Sequence, residues 1–407
     1  MSNTIKTLTA GDITRKALAI LHNNLVFCKN INREYDDRFA VTGAKNGGYL
    51  EIREPNQFTV REGAVMDAQD VTESTIQLVV ATQRGVDINF SSAELTLSMD
   101  DFADRILSPA MSRLAAEIES EVIAACYPYV YKFENTTFGT KPVLADVLAA
   151  RAKLAQGLAP RDNRFLMVDS LAANSIITDG KSLFAPASEI ARQYSMGLLG
   201  TVGSFQCFES EMTPVHTNGS RTDATPVVDI STITNGDATI TTTGQTSGQT
   251  LKAGDVFTIA DVYDVNPETK VAYGHLKQFA ITADKTCDAT DVFSITPAIY
   301  KSGAKQNCYA AAWTGSKAIV HVAAGGSGTA STAYTNSLAF HKDAFTMVTA
   351  DLIMPTGVDF AARKVIDGIS LRVVRAYDIN NDKFPCRMDV LFGAKTIRPE
   401  WACRVCS

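Results

Sequence analysis

Cysteine is the residue type whose spacing comes closest to a reactive site. Cys403-Arg404-Val405-Cys406 has the two-residue separation of redox pairs and of half a zinc site. A structural zinc takes four ligands, and the preceding cysteine, Cys386, has no histidine or second cysteine at ligand spacing. A redox pair opens a helix that follows a strand, whereas this one lies one residue from the chain end. The reading that remains is small side chains on a last strand. The five histidines, His22, His216, His275, His321 and His341, stand far apart and match no HxH or HExxH pattern. They read as locally satisfied rings. Gly325-Gly326-Ser327-Gly328 lacks the GxGxxG order and no Lys-Ser/Thr follows, so it reads as a loop and not a phosphate cradle. A GxSxG nucleophile elbow is absent. Asp100 and Asp101, with Glu117, Glu119 and Glu121, are dense enough for general acid–base work, but on an amphipathic helix they form its solvated face. Catalytic, cofactor-binding and metal-ligating residues are therefore expected to be none.

The elements that would position such residues belong to an ordinary globular chain. At 407 residues there is room for about two or three domains and a sizeable core. A hydrophobic content of 45% with 20% charged residues excludes a disordered protein. The net charge of −6 argues against a nucleic-acid wrapper, which would show basic clusters. Met1-Ser2-Asn3-Thr4-Ile5-Lys6 opens no signal peptide, and no apolar run of roughly 18 residues would span a membrane. Eight scattered cysteines then default to reduced thiols, and the chain reads as cytosolic.

The spacing predicts a first helix over residues 12–23, with Ile13, Ala17, Leu18, Ile20 and Leu21 on one face and Asp12 as its cap. Residues 29–38 are mostly polar, which leaves two placements: a helix docked on its own domain, or an arm on a neighbouring subunit. From residue 47 to 90 the period is two: Leu50 and Ile52, then Phe58 and Val60, then Ile76, Leu78 and Val80. Between them Glu62-Gly63-Ala64-Val65-Met66-Asp67-Ala68-Gln69-Asp70 reads as a turn-like tip with little apolar content. Two runs of about a dozen residues would make a ribbon on the order of 40 Å long. An isolated two-stranded ribbon is marginal in water, so it needs a surface. Either an ordinary sheet of its own domain or a second copy of the chain supplies it.

A long helix follows. Ser98 caps a segment from Met99, and Ser108-Pro109 is either a kink or a second start. Met111, Leu114, Ala115, Ile118, Val122 and Ile123 share a face, with Arg113 and Glu117 paired on another. As one helix, residues 99–126 would be about 42 Å long. Residues 142–156 make a third helix, Phe165-Leu166-Met167-Val168 a buried strand, and Asp169-Ser170 the cap of a further helix, an α+β order. From about residue 225 to 317 the composition turns to Thr, Gly, Asp and Val in short runs, which argues a small β-barrel or sandwich inserted between points that lie close together.

The α+β pattern resumes at Leu338-Ala339-Phe340-His341-Lys342-Asp343-Ala344-Phe345 and continues to Met354-Pro355-Thr356-Gly357. A strand pair with a tight turn runs from Ile369 through Tyr377-Asp378 to Met388-Asp389-Val390-Leu391-Phe392-Gly393. It closes on Ile397-Arg398-Pro399-Glu400-Trp401-Ala402. This order resembles the C-terminal region of tailed-bacteriophage major capsid proteins, the coat family of the phage P22 type. The ribbon-then-helix order and the insertion, with Leu251-Lys252-Ala253-Gly254-Asp255 as its most similar phrase, extend the resemblance over nearly the whole chain.

The resemblance implies an α+β, HK97-like fold with an inserted all-β barrel. Residues 1–39 would be an N-terminal arm, 40–90 an extended loop, and 91–140 a peripheral domain with the spine helix. Residues 141–224 would open the axial domain, 225–317 form the barrel, and 318–407 complete the axial and peripheral parts. It also implies a structural, non-enzymatic role: pentamers and hexamers closing an icosahedral head around double-stranded DNA, with scaffolding and portal proteins as partners. That DNA is bound without sequence specificity, no membrane is involved, and the shell is assembled in the host cytoplasm. The net negative charge suits a wall that should not adhere to the polyanion inside. Inter-subunit contacts are expected from Leu50, Ile52, Arg53, Glu54, Phe58, Arg61, Glu62, Asp67, Ile76 and Leu78. The charged members would set register at ~0–1 kcal/mol each, and the apolar ones would supply adhesion at ~25 cal/mol per Å². Lys45 is not expected to crosslink. On the residues alone, two other classes stay open: a cytosolic α+β enzyme with a barrel insertion, and another β-rich virion or tail protein.

Overall fold

The computed structural model describes residues 10–36, 49–60, 63–66, 68–69, 73–91, 107–135, 140–180, 200–220, 226–321 and 331–406. The chain forms two compact units. One comprises Met1–Ile52, Thr75–Ile123 and Phe345–Lys395, the other Arg53–Ser74, Ala124–Ala344 and Thr396–Ser407.

In the first unit the helix Ala10–Asn24 buries Ala17, Leu18 and Leu21 against the strands Phe360–Ile366 and Ile369–Arg375. It is described from Ala10, so residue 12 lies inside it and not before it. The polar stretch after it also docks: Asn32–Asp36 pairs in parallel with Phe345–Ala350. Backbone bonding holds that segment, and Arg33 adds an ion pair to Asp367 at 2.6 Å.

The strand Lys383–Thr396 is the spine of this unit's sheet. It pairs antiparallel with Thr82–Ser91 along its length and with Ile369–Arg375 through Cys386–Asp389. The expected tight turn is present, closed by a bridge between Asp378 and Lys383. Asp389 is buried in the middle of the sheet and is satisfied by Arg372 at 2.7 Å and Arg387 at 2.8 Å. Gly85 stands opposite it, where any Cβ would collide with the carboxylate.

The long helix runs Ser108–Cys126, with Pro109 in its first turn and a π-helical Leu107 before it. The expected segment from Met99 lies outside the described residues. Met111, Leu114, Ala115, Ile118, Val122 and Ile123 are buried as their spacing predicts. The acids divide. Glu117 pairs with Arg113 at 3.6 Å and Glu121 with Arg84, but Glu119 is only 3% exposed and is not part of a solvated face. Its Oε1 accepts backbone N–H groups from Val26 at 2.7 Å, from Phe27, and from Cys28 at 3.3 Å. Burial outweighs those bonds and raises its carboxyl above the usual range.

The second unit has two bodies. One is a sheet in the order Phe133–Glu134, Ala402–Cys406, Ala333–His341, Arg164–Val168, Phe205–Glu209, Thr201–Val202. The helices Leu144–Gln156 and Ser170–Gly180 share a core with it around Val147, Leu154, Leu166, Ala173, Phe205 and Val405. The other is the insertion. Its strands Val227–Asp229, Asp237–Thr243, Val256–Val265, Ala272–Ile281, Thr290–Ile299 and Ser316–His321 close on themselves, because Ala272–Ile281 pairs with both Val256–Val265 and Thr290–Ile299. The closed barrel surrounds its own core of Ile240, Phe257, Ile259, Phe279, Phe293 and Ile319. Entrance and exit adjoin: Asn218 N–H donates to Thr332 O at 3.1 Å, and Ser331 N–H donates to Gly219 O at 3.2 Å.

Removing the Glu119 carboxylate leaves buried N–H groups without an acceptor, which costs about 1–3 kcal/mol each. Glu119→Ala should lower the unfolding free energy by about 3 kcal/mol in a urea titration. Glu119→Gln, which keeps an acceptor oxygen, should cost less than half as much.

Candidate assembly interface

With chemistry-bearing residues accounted for by the fold, the candidate site is a surface. The finger begins with the strands Tyr49–Arg53 and Thr75–Val79, which among the described residues form a two-stranded sheet. Beyond them Glu54 N–H donates to Ser74 O at 2.9 Å, and Ser74 Oγ donates to Glu54 at 2.6 Å. Further out the Gln69 side chain stands in for a strand, accepting from Thr59 N–H at 2.9 Å and donating to Thr59 O at 2.6 Å. The regular ladder is thus five residues per strand, shorter than the dozen expected. Pro55 has no N–H to give a ladder. Thr82–Ser91 leaves the finger for the sheet of the first unit.

The expected contact residues separate into two groups. Leu78, at 0% exposure, and Val80 are buried, and Leu50 and Ile52 pack beside them on Val348, Ala350 and Leu391. Leu78 therefore offers nothing to a second chain, and this corrects its place in the contact set. Period-two alternation marks an apolar side, and here the chain's own unit covers it. Ile76 is half-buried. Arg53 is exposed and pairs with Glu73 at 3.6 Å, within the finger and not across a boundary. Glu54 is held by Ser74. Arg61, Glu62 and Asp67 lie outside the described residues.

Phe58 is 60% exposed, and the tip adds Val60 at 98%, Val65 at 84% and Met66 at 81%. A tip read as poor in apolar residues is in fact where large apolar side chains meet water. The Val65-Met66 pair in the sequence was the available signal. Single exposed apolar residues are common, and these four lie within nine residues of chain.

The polar residues of the second unit do internal work. Cys403 and Cys406 lie buried on the last strand, and burial pushes the Cys403 thiol up to about 12. His216 meets Asp255 at 2.8 Å and His275 lies 3.6 Å from Asp264, while in the first unit His22 meets Asp367 at 3.0 Å. Lys132 is buried and donates to Lys153 O and Glu400 O, both at 2.7 Å. Burial, with the nearby Lys277 ammonium, lowers it to about 8. Burial also works against the charged form of Asp264. Hydrogen bonds from His275 and Lys277, with the Lys277 and Lys132 charges, overcome it and hold the carboxyl well below the usual range.

Residues 210–404 match the family model of the P22 coat protein, gene protein 5. That stretch is just under half of the chain. Finger, long helix, sheet and inserted barrel follow in the order the resemblance implied. Among solved structures it is similar to one from Mycobacterium phage Che8, at 11% identity and a TM-score of 0.46, over 94% of this chain and 90% of that one. The capsid of Cyanophage P-SCSP1u is similar at 8% identity and a TM-score of 0.48, over 94% and 87%. A virus-like particle from Pyrococcus furiosus is similar at 9% identity and a TM-score of 0.39, over 97% and 96%. No curated protein sequence matches this chain.

Lys132 gives a signed pH dependence. Between its folded value near 8 and its unfolded value of about 10.4 the unfolded chain binds more protons, so its contribution to stability grows as pH rises. The unfolding free energy of the native protein, less that of Lys132→Met, should increase from pH 8 to about 10.4. The slope should reach at most about 1.4 kcal/mol per unit, and denaturant titrations across that range measure it.

Proposed function

We propose that this chain is a coat protein of the P22 type that self-assembles as pentamers and hexamers into a closed icosahedral shell around double-stranded DNA, and that the finger tip is covered by an adjacent subunit. The exposed apolar tip carries this reading. Phe58, Val60, Val65 and Met66 remain in water on the isolated chain, and burial at ~25 cal/mol per Å² would draw them onto a neighbour. In this reading residues 40–90 are the extended loop, and 91–140 the peripheral domain with the spine helix. Residues 141–224 and 318–407 build the axial and remaining peripheral parts, and 225–317 the barrel. Scaffolding and portal proteins act during assembly in the host cytoplasm. The net charge of −6 limits adhesion to the DNA, which is enclosed without being read.

Many weak contacts suit such a shell, since each can rearrange before the whole closes. Loss of one apolar side chain removes about 1–3 kcal/mol per covered site, which is about tenfold in a contact's dissociation constant.

The purified native chain should form closed shells in electron micrographs. Phe58→Ser combined with Met66→Ser should stay as unassembled subunits at concentrations about tenfold above the native threshold. Its circular dichroism and unfolding midpoint should be unchanged. Shells from the double variant at the native threshold would remove the finger tip from assembly. Tubes or discrete small oligomers from the native chain would overturn the container reading itself.

A further inference from the structure

The residues that follow the long helix have more partners than a linker needs. Helix Ser108–Cys126 ends with Cys126 O accepting from Thr396 Oγ1 at 2.8 Å. Immediately after it, Val130 O accepts Arg404 Nε at 2.8 Å. The same guanidinium reaches into the insertion, where Nη1 donates to Gly254 O at 2.8 Å. Three residues on, Phe133 is gripped by the barrel: its N–H donates to Gln278 Oε1 at 3.0 Å, and its carbonyl accepts Gln278 Nε2 at 3.1 Å. Gln278 sits in the barrel strand Ala272–Ile281 and pairs with Phe133 as a neighbouring strand would. The seam between these bonds is apolar and closed, lined by Tyr131, Val256, Ala280 and Tyr334.

We infer that residues 127–134 are a conformational coupling that makes the inserted barrel follow the C-terminal turn of the long helix, with Gln278 and Arg404 as its positioning residues. The segment is suited to transmit and not to absorb movement. It reads Tyr-Pro-Tyr-Val-Tyr-Lys-Phe-Glu, without glycine, and Pro128 fixes its own backbone angle. Its bonds are directional and several are buried, so a shift of Val130 or Phe133 either carries Arg404 and Gln278 along or leaves polar groups unpaired. The barrel has its own closed core and can respond as one body. A coupling between two places is reciprocal and is measured as non-additivity of two perturbations.

The test uses hydrogen exchange on the full, unassembled chain. Thr396→Val releases the helix end. Gly254 N–H, bonded to Ile281 O at 2.7 Å, reports the barrel neck. In the native background Thr396→Val should raise exchange at the Gly254 peptide at least tenfold. In a Gln278→Met background, adding Thr396→Val should raise it less than threefold. Phe257 and Phe279, in the barrel core, should stay protected in every variant and so certify the fold. If Gln278→Met loses that protection, Arg404→Lys replaces it with the same expected pattern. Equal increases with and without the seam substitution, or an increase confined to the helix end, would overturn the coupling.

Discussion

Arg404 imposes the constraint on which the second unit depends. A guanidinium keeps its charge at any ordinary pH, and this one is 0% exposed. Carbonyl acceptors must therefore be brought to it. They come from Val130 and Gly254, which lie 274 and 150 residues away in the chain. The strand that carries Arg404 must be interior, and all five residues of Ala402–Cys406 are buried between Ala333–His341 and Phe133–Glu134. The neck of the insertion must come close to that strand, and the segment after the long helix must thread between them. One buried charge thus fixes where three distant stretches of chain meet. Such charges are weak sources of stability, but they penalise every arrangement that leaves the charge without partners.

Buried acids gather partners in the first unit too. Glu119 gathers the amides of Val26, Phe27 and Cys28, and Asp389 gathers Arg372 from the neighbouring strand and Arg387 from its own. These contacts lock particular segments together, whereas apolar burial alone would accept several packings. The finger differs in kind. Its regular ladder ends at Arg53 and Thr75, its outer pairing is made by a glutamine side chain, and its largest apolar groups face water.

The parts of this design that were legible in the sequence were those written as periodicity or turn chemistry. The helical spacing of Met111 to Ile123 gave the buried face of the long helix, and Leu50, Ile52, Ile76 and Leu78 gave the finger strands. The change in composition near residue 225 gave the barrel. What could not be read was who covers whom. Alternation assigned Leu78 to an apolar side, and only the fold shows that Val348 and Ala350 close over it. Glu119 sits among acids in an amphipathic pattern, and its partners come from a segment more than 90 residues earlier. Arg404, inside a motif inspected for its cysteines, and Gln278, in a threonine-rich run, carried no local signal. Long-range partners of single polar residues leave no period in a sequence.

The placement of charge separates the fold from assembly. The ions that hold the units, Arg404, Glu119 and Asp389, are buried and bonded over short distances, where mobile counterions do not reach. The finger's pair, Arg53 with Glu73, is exposed at 3.6 Å and is open to screening. Salt therefore acts on the register of the finger while leaving the units intact, and it strengthens rather than weakens the apolar attraction at the tip when the anion is strongly hydrated. A subunit built this way can have its adhesion adjusted by the surrounding solution without its own structure being put at risk. That is the property the proposed shell requires of its subunit before closure.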